Sequence, residues 1–513
     1  MNFKRNCFLI SALIGSIFLV AGCAKDNSFK HYEYLDFPTE SLDDYKHKDK
    51  KGNIDYIRYG QYSDYIAQGK TVPPGQTEPT YNIGSTYNIL YNLSGNKIME
   101  AKEEKNILVV PVKFDTFDLG IKDADYISDV KKAFFGVAKN NRYVSVAEYY
   151  NRSSYGKLRI NGEVCDKFYT FQKPFSEMKS YSKDDVKKAY VNAQEWYTKI
   201  YKKSLDKFRV KAGADPAIFF VYAYPVELKD AANPEFFWAY TFEEYPCSWA
   251  SYTTMNTLSG EPDAHTFIHE VGHLLGLKDY YPSGSETSTP DPAGKIDMMD
   301  CSVGDHSGLS KMMLNWAKPY HVQRSCEITL KPLINSGDLI LIKNDWNKTV
   351  FDEYFLIEFY TPLGLNYFDS NVGNSEAKLP SLPGIKIYHV DARLGYFKST
   401  TPSTALTFEG YCYQGGIADP SGMSHNVRIA HDNSTYTSVT EVEQYQKNYL
   451  YELELNNVGH AVAGCASNMN LFHKGDTFTI KSSSFNKVSN TFYKISVSKL
   501  SYSSATVKIT KTN

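Results

Sequence analysis

His269-Glu270-Val271-Gly272-His273-Leu274-Leu275-Gly276-Leu277-Lys278-Asp279 decides how this 513-residue chain is read. On a helix, positions i and i+4 share a face, so His269 and His273 aim two imidazoles at one point. Glu270 reaches the space beside that point rather than the point itself. Ile268, Val271, Leu274 and Leu275 supply the apolar side that buries the helix. Gly276 falls where the helix should stop, because Gly just past a helix end takes the left-handed conformation. The chain then turns and brings Asp279, ten residues after His269, back to the histidines. A carboxylate oxygen binds zinc at about 2.0–2.2 Å, much as an imidazole nitrogen does, and three protein ligands leave the fourth position to water, as in a catalytic site. In a chain with 12 His the bare His-Glu-His spacing is a weak signal, and the whole eleven-residue stretch is the specific one. Asp297, Asp305, His306 or a downstream Glu compete as third ligand, and the Gly276 turn favours Asp279.

Composition fits this reading. Hydrophobic residues make up 42% and charged residues 22%, enough for real cores. A net charge of -2 lacks the basic excess of a nucleic-acid binder, so no nucleic-acid partner is expected. Near the N-terminus, Lys4 and Arg5 precede an apolar run from Cys7 to Val20, too short to span a bilayer comfortably and laid out like a secretory signal. The run ends in Val20-Ala21-Gly22-Cys23, which resembles a bacterial lipobox. Residues 1–23 are therefore expected to be a lipoprotein signal, with Cys23 lipidated and the protein held on the outer face of a bacterial membrane. Residues 24–104 are polar and strand-poor, a tether or pro-region. Beyond Cys23 they contain no Cys, which excludes a cysteine-to-zinc latency switch within them. Cys165, Cys247, Cys301, Cys326, Cys412 and Cys465 remain, either as disulfides of an exported protein or as buried thiols.

From Asn106 the composition changes. Ile107 to Phe114 and Ala217 to Tyr224 are apolar runs of the kind buried on both faces of a sheet. Ser182 with Asp185 opens a helix whose Val186, Ala189, Tyr190, Ala193 and Tyr197 keep helical spacing. Phe236 to Phe242 is a shorter strand at the cleft rim. After about residue 325 strand-like segments dominate: Asp338 to Lys343, Tyr354 to Tyr360, Ile385 to Val390, Tyr449 to Leu455 and the pairs within Phe492 to Ile509. The expected fold is α+β: a catalytic domain at 105–324, then an all-β, sandwich-like domain at 325–513.

The eleven-residue stretch resembles the metzincin clan of zinc peptidases, with Asp in place of the usual third His. More closely it resembles the immune inhibitor A family of bacterial secreted metallopeptidases. Lys295 to Asp300 with Gly304-Asp305-His306, Ser310 to Trp316, Ser145 to Tyr150 and Ser154 to Leu158 carry the likeness. Tyr354 to Glu358, Gly384 to Asp391, Leu471-Phe472 and Gly475-Asp476 extend it, so that it covers roughly 105–513. The resemblance implies a zinc-dependent endopeptidase acting on protein or peptide substrates. In it His269, His273 and Asp279 hold Zn2+, Glu270 is the general base, and Met299 lies beneath the metal, with Met298 as the alternative. Relatives often carry Tyr two residues after that Met; here it is Cys301, and Tyr280, Tyr281 and Tyr320 are the candidates to replace it. His265 is a candidate supporting group for the centre. His306 and His389 read as hydrogen-bonded structural histidines. Asp291, Asp297, Asp300 and Asp305 are candidate Ca2+ ligands. The rival reading is a non-catalytic surface-binding lipoprotein on the same fold.

Overall fold

In the computed structural model the residues described are 45–58, 97–137, 143–224, 237–242, 244–255, 261–282, 291–347, 349–373, 377–400, 405–411, 426–433, 452–455, 465–485 and 489–512. The expected signal and Cys23, the stretches 24–44 and 59–96, Phe236 and Cys412 lie outside them. Among the described residues no helix is long and apolar enough to cross a membrane.

The fold is mixed α+β, with several mixed sheets and few helices. A six-stranded sheet runs in the order Leu158–Val164, Glu103–Lys113, Ile218–Tyr222, Cys247–Ser251, Tyr240–Thr241, with Tyr169–Thr170 also paired to Glu103–Lys113. All its pairings are parallel except the last, where Tyr240–Thr241 runs antiparallel along the edge. Its central strands are buried on both faces, which explains their unbroken apolar runs. Ile107, Val109, Phe219 and Val221 enter one core. Leu108, Val110, Ile218 and Phe220 enter another, beneath the helix Lys183–Tyr201. That helix starts as expected: the Asp185 carboxylate accepts from the Ser182 N–H at 2.9 Å.

A seven-stranded sheet takes the order Tyr45–Lys48, Ile54–Arg58, Lys318–Val322, Asp338–Ile342, Glu353–Tyr360, Gly384–Asp391, Leu453–Leu455. Leu339, Leu341, Tyr354 and Leu356 face the core that also holds Phe267, Ile268, Val271 and Leu274. Ile340, Ile342, Phe355 and Ile357 face Ile495, Val497, Val507 and Ile509 of the four-stranded sheet Cys326–Leu330, Ala505–Lys511, Tyr493–Leu500, Thr477–Ile480. The helix His265–Leu274 packs against Cys247–Ser251 and Tyr240–Thr241 of the six-stranded sheet, within the same apolar core that the seven-stranded sheet enters.

This packing changes two boundaries drawn from sequence. The division at 324/325 cuts through one apolar core, because residues on both sides of it belong to the same buried cluster. The stretch 24–104 is not uniformly a tether. Tyr45–Lys48 and Ile54–Arg58 form a hairpin that pairs with Lys318–Val322. Ile98 and Met99 are buried, and the Met99 N–H donates to the Leu274 carbonyl at 2.7 Å. Trp316 Nε1 donates to the Ala101 carbonyl at 2.8 Å. Removing residues up to 104 would strip a carbonyl cap from the last turn of the helix.

Candidate metal centre

The helix His265–Leu274 ends in a Schellman motif. The Gly276 N–H donates to the His273 carbonyl at 2.9 Å and the Leu277 N–H to the Gly272 carbonyl at 3.1 Å. Gly276 has φ +96°, the left-handed geometry its position demands. The motif also presents the Leu277 carbonyl to His273 Nδ1 at 2.8 Å. His269 Nδ1 donates to the Met298 carbonyl at 2.7 Å. Each ring therefore donates from Nδ1 and turns its Nε2 to a common point, the usual arrangement of metal-ligating histidines. At that point sits Asp279 Oδ1, 2.9 Å from His269 Nε2 and 3.1 Å from His273 Nε2. Ligand atoms about 2.1 Å from a tetrahedral ion lie roughly 3.4 Å apart, and both Asp279-to-imidazole separations fall a few tenths of an ångström short of that.

Glu270 also comes close. His269, Glu270 and His273 each bring one ligand atom within 4.8 Å of the others, the one such group of three among the described residues. Asp279 Oδ1 touches both imidazoles, while Glu270 Oε2 accepts from Thr241 Oγ1 at 2.9 Å. Thr241 lies on the edge strand, and Ser248 Oγ stands 2.7 Å from its hydroxyl. Burial raises the Glu270 carboxyl above the ordinary carboxylate range, against the pull of His273, His269 and Thr241. Burial also opposes charge on His273, yet Asp279 outweighs it and carries the imidazole up to about 9. Asp279 is held well below its ordinary range by His273 and His269, despite its own burial. Protons and a metal ion compete for those Nε2 atoms.

Beneath the helix, a Cβ built on Gly272 would stand 2.5 Å from Met299 Sδ. Met299 thus presses its thioether against the backbone between the two histidines, while Met298 contributes its carbonyl. The Tyr280 N–H donates to the Met299 carbonyl at 2.7 Å, tying the Asp279 turn to the same segment. Tyr150, from the helix Val146–Ser153, donates to the Ile268 carbonyl at 2.7 Å.

The other candidates separate. Tyr280 points its hydroxyl to Ser310 at 2.8 Å, and Tyr320 lies in the seven-stranded sheet beside Tyr56. Tyr281 alone of the three stacks near His269, at 6.4 Å between ring centroids. His389 is hydrogen-bonded to Glu353 at 3.0 Å. His306, expected to be hydrogen-bonded, is buried among Tyr149, Tyr150 and Trp316 with neither ring nitrogen partnered. Its apolar surroundings hold it neutral, with its pKa well below the ordinary value. The four aspartates considered for Ca2+ do not all meet at one point. Asp291 and Asp300 share a side-chain hydrogen bond, whereas Asp297 accepts from the Met299 and Ser307 N–H groups and Asp305 pairs with Lys311 at 2.8 Å. Cys165, Cys247, Cys301, Cys326 and Cys465 form no disulfide. Ser248 and Met99 were not found from sequence, and Thr241 and Tyr150 were read only as parts of the Phe236 to Phe242 strand and the Ser145 to Tyr150 segment. Their contacts to the helix cross 22, 175, 29 and 118 positions of chain, and no local pattern marks them.

No family model and no curated protein matches this chain. Solved structures that resemble it include the crystal structure of wild-type OgpA from Akkermansia muciniphila, at 11% identity and a TM-score of 0.25, covering 57% of this chain and 85% of that one. A likeness of that size carries no inference about fold or activity.

Proposed function

We propose that this chain is a zinc-dependent endopeptidase, metzincin-like in its catalytic half and allied to the immune inhibitor A family, displayed as a surface lipoprotein through Cys23. One observation carries the reading: Asp279 Oδ1 meets both histidine Nε2 atoms while the buried Glu270 carboxylate stands beside them. His269, His273 and Asp279 would hold the ion. When bound, zinc supplies a Lewis acid that polarises the scissile carbonyl and acidifies water. Glu270 takes the proton of the attacking water and returns it to the leaving amine. Its raised pKa suits a group that must both accept and release that proton. Thr241 holds the carboxylate in place, and its strand closes the sheet edge, where an extended substrate can pair. The apolar layer shared by the seven- and four-stranded sheets supports a sandwich-like C-terminal half.

The test is hydrolysis of a general protein substrate such as casein by the full chain. Activity lost with a chelator and restored by zinc is expected. A protein that binds zinc yet cleaves no protein substrate would favour the surface-binding alternative.

A further inference from the structure

We propose that Asp369, from the β-rich C-terminal half, is a positioning residue of the metal centre: it fixes the start of the His265–Leu274 helix against the Met298–Cys301 turn and so aims His269. This rests on the zinc reading above. Asp369 is 2% exposed and sits on the short helix Tyr367–Asn371. Its Oδ2 accepts from the Gly304 N–H at 2.7 Å and lies 3.0 Å from His265 Nε2. His265 Nδ1 meets Asp263, so each ring nitrogen faces a carboxylate and donates to it. Burial opposes the charge on that ring, but Asp263 and Asp369 raise it to about 10.

The placement matters because of what lies on either side. His265 is one helical turn before His269, and Gly304 is five residues after Met299. One oxygen of Asp369 therefore ties the helix start to the segment that follows the Met298–Cys301 turn, whose Met298 carbonyl accepts from His269 Nδ1. The surrounding turn adds two more ties. Asn366 Oδ1 accepts from the Asp305 N–H at 2.9 Å. Tyr143, stacked on His265 at 4.1 Å, donates to the Leu365 carbonyl at 2.7 Å. His273 needs none of this, since its Nδ1 acceptor belongs to the helix's own C-terminal cap. Loss of Asp369 should loosen one imidazole and leave the other, weakening the centre without abolishing it.

The experiment compares full-length parent, Asp369→Asn, His265→Gln, the double variant and His269→Ala. Three quantities are read: zinc affinity by chelator competition, the visible spectrum of the Co2+-substituted protein, and the melting of the metal-free form. Groups that orient metal ligands typically contribute 10–100-fold to affinity. About tenfold weaker zinc and a changed cobalt band are expected in each single variant, with the double no worse than the worse single. Parent-like affinity and cobalt spectrum in both singles, even with lowered melting, would overturn the proposal, because Asp369 would then only hold the fold. If Asp369→Asn does not fold, His265→Gln decides alone, since it cuts the same link from the other end. Zinc retained by His269→Ala, or none bound by the parent, overturns the zinc reading and this inference with it.

Discussion

Replacing Gly276 by Ala separates helix termination from metal binding. At φ +96° a Cβ is strained by about 1–2 kcal/mol. Escape to negative φ would swing the Leu277 N–H away from the Gly272 carbonyl and break that cap bond. It is worth about 0.5–1.5 kcal/mol net. The two costs overlap, and the cap is expected to open in part. Its opening moves the Leu277 carbonyl, the acceptor that orients His273. Gly276→Ala should therefore lower the stability of the metal-free protein by about 1–2 kcal/mol and weaken zinc about tenfold. Gly213 is the control. It has φ +78° with nothing within 4 Å of a built Cβ, so Gly213→Ala carries similar backbone strain without touching the cap. Urea unfolding of the metal-free forms and chelator competition read the two effects. If Gly276→Ala bound zinc as tightly as Gly213→Ala, the cap would have no part in orienting His273.

Glu270→Gln should keep its zinc and lose about two to four orders of magnitude in turnover, the usual worth of general acid–base catalysis; near-parent turnover would remove Glu270 from the mechanism. His265 has its pKa raised to about 10 from an ordinary 6.5. A raised histidine stabilises fully below the unfolded value and loses that contribution as pH rises through the folded one. The zinc-loaded parent should thus lose stability between about pH 6.5 and 10, and His265→Gln should lose less across that window. Parallel unfolding curves for the two would contradict the charged clasp. Cys23→Ser should abolish metabolic lipid labelling, and labelling that persists would reject the anchor.

Several parts of this molecule were legible in the sequence because they are local. The 3.6-residue period placed His269 and His273 on one face, and a glycine at the helix end foretold the turn to Asp279. Ser182 and Asp185 marked a helix start, and unbroken apolar runs marked the parallel strands. The N-terminal hairpin was missed because edge strands facing solvent keep polar residues, and Lys46 to Lys51 with Gly52 reads as a solvated run. Cys247–Ser251 was missed because Cys, Ser and Ala have little strand preference, though its neighbours on both sides bury it. The shared core across residue 325 was invisible for another reason. Each strand's apolar pattern shows that both its faces are covered, but not what covers them. Asp369 lies 104 positions from His265, and a lone Asp in a polar turn carries no sign of such a partner. His306 shows the reverse error: a polar residue expected to find partners was instead packed among aromatic rings.

The measurement that bears most directly on the central claim is metal content, by mass spectrometry of exhaustively dialysed full-length protein, in the parent and in Asp279→Ala. Two imidazoles and one carboxylate oxygen form the proposed donor set, and removing the oxygen that touches both Nε2 atoms would leave only two ligands. One equivalent of zinc in the parent and almost none in Asp279→Ala is the expected result. One tightly held equivalent in Asp279→Ala would contradict the account and move the third ligand elsewhere.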